Sequence, residues 1–184
     1  MLLISGDNEC EEAGEEIWFA SPTAKDDYRR WSQDVVEPSV RANCDFYFLR
    51  SCPTSTEIFT NVNNDTEMDT HYWGVWHGLE PFEAYQKILP RMLSEFGCQS
   101  FPVYDTVTSY ANDDELELFS PVMQHHQKNE TCNDKILFYE KSVYGEPKDF
   151  KSLVWLSILA QAEGIKICAE HLRRNKYRCN GVIY

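Results

Sequence analysis

Glu9 ends the segment Ile4-Ser5-Gly6-Asp7-Asn8-Glu9, and Glu95 sits in Ser94-Glu95-Phe96-Gly97-Cys98-Gln99-Ser100. Each follows a short apolar run and is flanked by small or amide residues. That pattern presents an acid at the mouth of a strand, beside groups able to hydrogen-bond a polar ligand. Two carboxylates so presented are the minimal equipment for cleaving a glycosidic bond. A lone glutamate at a strand end is most simply a solvated surface charge, so the pair carries the signal. Asn8 can hydrogen-bond a sugar hydroxyl or cap the following helix. Tyr72, Trp73 and Trp76 offer flat apolar faces to a pyranose ring, although aromatics near a strand end also serve as core.

These residues need a scaffold, and strand and helix signals alternate as in parallel β/α units. Met1 to Ile4 reads as a strand that meets Gly6 and Asp7 at once. The acidic run Glu11, Glu12, Glu15 and Glu16 reads as a solvated helical turn that complements the helix dipole. A break follows at Ser21-Pro22-Thr23, where Ser21 or Thr23 would cap a second helix. Further strands are expected at Asp45–Arg50, Asp69–Gly74, Arg91–Glu95 and from Asn180 to Tyr184, with a short helix near Pro81–Leu89. Short helical pieces follow from Tyr104 to Tyr144. The clearest helix spans about Phe150 to Arg174, with Leu153, Leu156, Ala160, Glu163 and Ile167 as its stripe.

Composition narrows the partners. The 184 residues are enough for one domain with a core, and 42% hydrophobic and 14% aromatic content marks a globular chain. A formal net charge of -13 argues against nucleic acid and anionic membranes, leaving a neutral ligand. No run approaches the roughly 20 apolar residues of a bilayer span, and no signal peptide opens the chain. Seven cysteines without a Cys-x-x-Cys pair favour free thiols and a cytoplasmic setting. The sequons Asn64-Asp65-Thr66 and Asn129-Glu130-Thr131 weigh against that setting. No phosphate loop, cofactor motif or zinc spacing stands out. His125 and His126 would point about 100° apart on a helix, so no metal site is expected.

Four stretches carry a family resemblance: Gly6-Asp7-Asn8-Glu9; His71-Tyr72-Trp73-Gly74-Val75-Trp76-His77-Gly78; Ser94-Glu95-Phe96-Gly97 with Gln99-Ser100; and Ser120-Pro121-Val122-Met123 with His125-His126-Gln127. With Gln161-Ala162-Glu163 and Arg173-Arg174-Asn175 behind them, the chain resembles the β-mannosidase branch of glycoside hydrolase family 2 over nearly all its length. The resemblance implies an α/β fold, an incomplete TIM-type (β/α)8 barrel running from strand four to the start of strand eight, with residues 1–184 as one partial catalytic domain. It implies Glu9 as acid/base and Glu95 as nucleophile, with Asn8, His71, Tyr72, Trp73 and Trp76 lining the substrate site. Departures are Ile4 where Trp is common, Asp7 where Asn is common and Cys98 where an aromatic is frequent. A third carboxylate at Asp7 would disfavour ionisation of Glu9.

The activity this implies is a retaining exo-glycosidase that removes terminal β-linked sugars by double displacement, without cofactor or metal. Its partner is an oligosaccharide or glycoside. β-Glucosaminidase, β-galactosidase and β-glucuronidase share the barrel logic. The second class of function is an inactive fragment or one piece of a split barrel, because open strand edges would pair with missing barrel segments or with another copy.

Overall fold

The apolar bursts pair, and they pair in parallel. In the computed structural model, which describes residues 3–16, 21, 23–129 and 131–184, β1 (Leu3–Ser5) lies beside β2 (Tyr47–Leu49) in the register Leu3 to Tyr47 and Ile4 to Phe48. β3 (Thr70–His71) lies parallel to β4 (Leu93–Glu95). Val182 adds a parallel bridge to Leu93, held by bonds from Leu93 N–H to Gly181 O (3.0 Å) and Ile183 N–H to Leu93 O (2.8 Å). All five expected strand positions are therefore used, in shorter form. The described residues make an α/β fold whose four strands form two two-stranded sheets. The expectations at Met1, Leu2, Pro22 and Glu130 lie outside the described residues.

Two compact units share the chain. The first takes residues 1–72, 88–95 and 175–184. It holds all four strands and the helices between β1 and β2: α1 (Cys10–Glu16), α2 (Ala24–Arg30) and α3 (Glu37–Asn43), the last two joined through a wider helical turn at Trp31–Val36. Thr23 precedes α2 but caps it only through its carbonyl, which accepts Asp27 N–H at 2.8 Å; its hydroxyl is engaged with Ser21 instead.

The acidic run of α1 is not a solvated turn. Glu11 is fully buried, accepting from Arg50 Nη2 (2.9 Å) and Thr54 Oγ1 (2.6 Å). Glu15 takes the backbone N–H groups of Asn61 (2.6 Å) and Val62 (2.7 Å), and Glu12 takes the Asn63 amide (2.9 Å). Three of the four acids thus tie down the loop between β2 and β3, and Glu16 alone stays exposed without that duty. A buried carboxylate persists only when paired and hydrogen-bonded, and Glu11 meets both conditions.

The second unit, residues 73–87 and 96–174, is helical. A 3₁₀ turn at Phe82–Lys87 is followed by α4 (Tyr104–Val107), a second 3₁₀ turn at Asp113–Glu115, α5 (Pro121–His126), α6 (Cys132–Tyr144) and α7 (Phe150–Arg174). Pro121 suits the first turn of α5, and the Ser120 hydroxyl caps it by accepting Met123 N–H.

Helix α7 has the expected limits, but its buried face is Leu153, Val154, Ser157, Ala160, Gly164, Cys168 and Leu172. The expected stripe residues Leu156, Glu163 and Ile167 are only half-buried. Small side chains decide the difference, because they let a neighbour approach. A Cβ on Gly164 would lie 2.7 Å from the Phe82 ring, so Phe82 seats directly on the helix backbone. Helix α7 is also long and apolar enough to cross a bilayer by length and composition, contrary to the expectation, although the core helix of a globular unit passes the same test.

Candidate active site

The chain beyond β1 keeps pairing with the chain beyond β2, and this places Glu9. Gly6 N–H donates to Leu49 O (2.9 Å), Cys52 N–H to Asp7 O (3.1 Å) and Glu9 N–H to Cys52 O (2.8 Å). Gly6 is required there, since a Cβ would meet Arg50 O at 2.4 Å. Glu9 itself has φ of 59°, a left-handed conformation that costs a glutamate about 1–2 kcal/mol and that its surroundings must hold. Its carbonyl accepts Ala13 N–H at 2.8 Å, so Glu9 joins strand to helix.

Glu95 arrives from the other sheet. The register of β3 and β4 shifts between Thr70 and His71, so that Thr70 faces Leu93 while His71 faces Glu95. Irregularities of this kind re-aim a side chain at a strand end. Tyr72 N–H then bonds to Glu95 O at 3.0 Å.

His71 joins the two acids. Its buried ring places Nδ1 2.9 Å from Glu9 Oε1 and 3.4 Å from Glu95 Oε2. Both of these neighbours are carboxyl oxygens, to which a proton on Nδ1 would hydrogen-bond. The Glu9, His71 and Glu95 ligand atoms lie within 4.8 Å of one another. The glutamate side chains are 42% and 34% exposed against 1% for His71, so the acids face solvent with the imidazole behind them.

A second layer lies beneath the ring. His71 Nε2 is 3.3 Å from Cys52 Sγ, and the thiol donates to Asp69 Oδ2 at 2.8 Å. Ser94 Oγ donates to the same Asp69 oxygen at 2.6 Å, while Asp69 Oδ1 accepts Thr54 N–H at 3.1 Å. Burial, reinforced by the hydrogen bond to Asp69, pushes the Cys52 thiol up to about 12, so it is no nucleophile at neutral pH. Asp7, the departure noted beside Glu9, turns its carboxylate the other way. It accepts from Tyr28 Oη (2.8 Å), the Ser51 hydroxyl and Cys10 N–H (3.2 Å), and burial together with that contact raises the Tyr28 phenol.

The other expected site residues divide. Asn8 is exposed next to Glu9, and Tyr72 is half-buried next to His71. Trp73 and Trp76 fall in the second unit. There Trp73 packs edge-on to His77 at 4.9 Å. Trp76 is 3% exposed, stacks on Tyr139 at 5.9 Å and donates its backbone N–H to the Tyr139 hydroxyl, so its indole is core with little surface to offer a sugar. Sequence reading passed over Cys52, Asp69 and Ser94. Asp69 and His71 stand two apart beside a strand, the spacing of one face, and that was the available clue. Cys52 gave none, because the loop geometry brings it in.

No family model matches the chain. β-Mannosidase B of Thermothelomyces thermophilus is 29% identical over 109 residues, 56% of this chain and 13% of that protein. β-Mannosidase B of Aspergillus niger is 26% identical over 162 residues, 84% of this chain and 19% of that protein. The crystal structure of β-D-mannosidase from Dictyoglomus thermophilum aligns over 100% of this chain with a TM-score of 0.86 and 27% identity. This chain resembles part of a β-mannosidase. It spans 13% to 23% of the length of these relatives, all of which are glycoside hydrolases by name.

Proposed function

We propose that this chain carries the catalytic carboxylates of a retaining exo-β-mannosidase, with Glu95 as nucleophile and Glu9 as acid/base. The observation that carries the reading is the bridging of Glu9 and Glu95 by one buried imidazole, with carboxylate oxygens within 4.8 Å of each other. Double displacement needs carboxyl groups about 5–5.5 Å apart, whereas inversion leaves about 6.5–9.5 Å for a water. The short spacing supports retention. Similarity to β-mannosidases points to mannose as the sugar.

Glu95 attacks the anomeric carbon while Glu9 donates its proton to the leaving oxygen. Glu9 then takes a proton from the water that frees the sugar. His71, donating through Nδ1, positions both acids. The parallel strand positions at β1, β2, β3, β4 and Val182 are read as five of the eight of a (β/α)8 barrel, whose remaining strands pair along the open edges.

Hydrolysis of a chromogenic β-mannoside tests the reading. Glu95→Ala is expected to abolish turnover, and Glu9→Ala to slow it by about 10²–10⁴-fold. A panel of β-glucosaminides, β-galactosides and β-glucuronides checks the sugar. Unchanged turnover in Glu95→Ala sinks the assignment. A second reading, that the chain is inert without further strands, rests on its matching so small a share of each relative. It predicts no turnover until a polypeptide supplying the amino-terminal part of a relative's barrel is added.

A further inference from the structure

Beneath the carboxylate pair, Cys52, Asp69 and His71 bring together a sulfur, an oxygen and a nitrogen within 4.8 Å of one another. We propose that these three side chains form a binding site for a thiophilic divalent cation such as Zn²⁺. The proposal shares His71 and Glu9 with the glycosidase reading but uses the opposite edge of the imidazole, and its test is read by metal binding rather than by turnover.

The donor set is the one zinc selects: thiolate, imidazole and carboxylate, with a fourth position left to solvent. Asp69 is 1% exposed and His71 4%, so two of the three ligands are already fixed in the interior, while Cys52 is half-buried and lets an ion reach them. Zn–S of about 2.3 Å and Zn–N and Zn–O of about 2.0–2.2 Å place tetrahedral donors roughly 3.3–3.7 Å apart. The Cys52 to His71 distance of 3.3 Å already matches. The Cys52 to Asp69 distance of 2.8 Å must open by under about 1 Å, as it would when the thiol hydrogen that bridges them is replaced by the ion.

The outer contacts are those of a zinc histidine. A metal-bound imidazole donates its other ring N–H to a carboxylate, and His71 Nδ1 faces Glu9 Oε1 at 2.9 Å. Asp69 is oriented by Ser94 and by Thr54 N–H. On binding, the Cys52 sulfur forms a bond to the ion and its proton passes to solvent, a simple exchange with no change of oxidation state.

Titration of the purified protein with Zn²⁺ by equilibrium dialysis, and with Co²⁺ by absorption, provides the test. One ion per chain and a thiolate-to-cobalt charge-transfer band are expected. Cys52→Ser should remove the band, and Asp69→Asn should weaken Zn²⁺ binding. Glu9→Gln should weaken it by about tenfold through the outer contact. Cys98→Ser, in the other unit, should leave binding intact. In unsubstituted protein, bound Zn²⁺ should protect Cys52 from alkylation in a peptide map, a readout that survives even where a variant misfolds. Absence of stoichiometric binding, a band that persists in Cys52→Ser, or equal alkylation of Cys52 with and without Zn²⁺ overturns the proposal.

Discussion

The two units treat their buried acids in opposite ways. In the strand-bearing unit Glu11 has Arg50 and Thr54, Asp69 has Cys52, Ser94 and Thr54, and His71 has both glutamates. In the helical unit the interior is aromatic and small-residue packing, with Phe82 stacked on Tyr139 at 4.8 Å and seated on Gly164. Its fully buried Glu140 has no hydrogen-bond partner at either carboxylate oxygen. A connected polar network fixes geometry at a stated place, whereas apolar packing fixes only shape. The hydrogen-bonded network around His71 therefore lies where the strands end.

The largest stability loss expected from breaking this contrast comes from Glu11→Ala. It strands the Arg50 guanidinium beside Thr54 and the Ser55 carbonyl, and removing one partner of a buried pair costs about 3–5 kcal/mol. Chemical denaturation measures it; a loss below about 1 kcal/mol would show that the network contributes little. Next is Gly164→Val, which drives a side chain into Phe82 and should cost about 1–3 kcal/mol, with Phe82→Ala in the same background recovering part of the loss.

The smallest effect sharpens the contrast instead. Burial pushes the Glu140 carboxyl up to about 7 from an ordinary value of 4.5, with Lys141 opposing and Glu146 adding to the rise. A raised carboxyl binds its proton more tightly when folded, so its penalty is absent below about 4.5. The penalty grows as pH rises towards 7 and is complete above it. Glu140→Gln should therefore be more stable than the parent by on the order of 1 kcal/mol at pH 8, with the gap closing by pH 4. Thermal melts at the two pH values decide; a gap independent of pH would show that Glu140 is not strained by its charge.

Much of this was legible in the residues, and the failures share a cause. Strand positions could be read because Leu3-Ile4, Tyr47-Phe48-Leu49 and Leu93 are short apolar bursts closed by polar residues. The flanks of Glu9 and Glu95 singled out two acids far apart in sequence, and the fold brings both to His71. What was missed depended on contacts between segments far apart in sequence. Helix α7 turns a small-residue face inward because Phe82 fits it, and of the stripe read from spacings of three and four only Leu153 and Ala160 are buried. The acids of α1 looked solvated because Arg50 and the backbone at Asn61 and Val62 are 39 to 47 residues away. Trp76 carries the same aromatic surface whether it lines a site or packs on Tyr139, and only the fold distinguishes the two.

A nucleophile at Glu95 forms a covalent glycosyl ester in the first half of the reaction, and that ester can be trapped. Protein competent to cleave an aryl β-mannoside is incubated with 2-deoxy-2-fluoro-β-mannosyl fluoride, which slows release of the sugar, and its proteolytic peptides are mapped by mass spectrometry. One fluoromannosyl ester is expected, on the carboxylate of Glu95. An adduct on Glu9 or elsewhere, or none at all from protein that turns over the aryl mannoside, would contradict it.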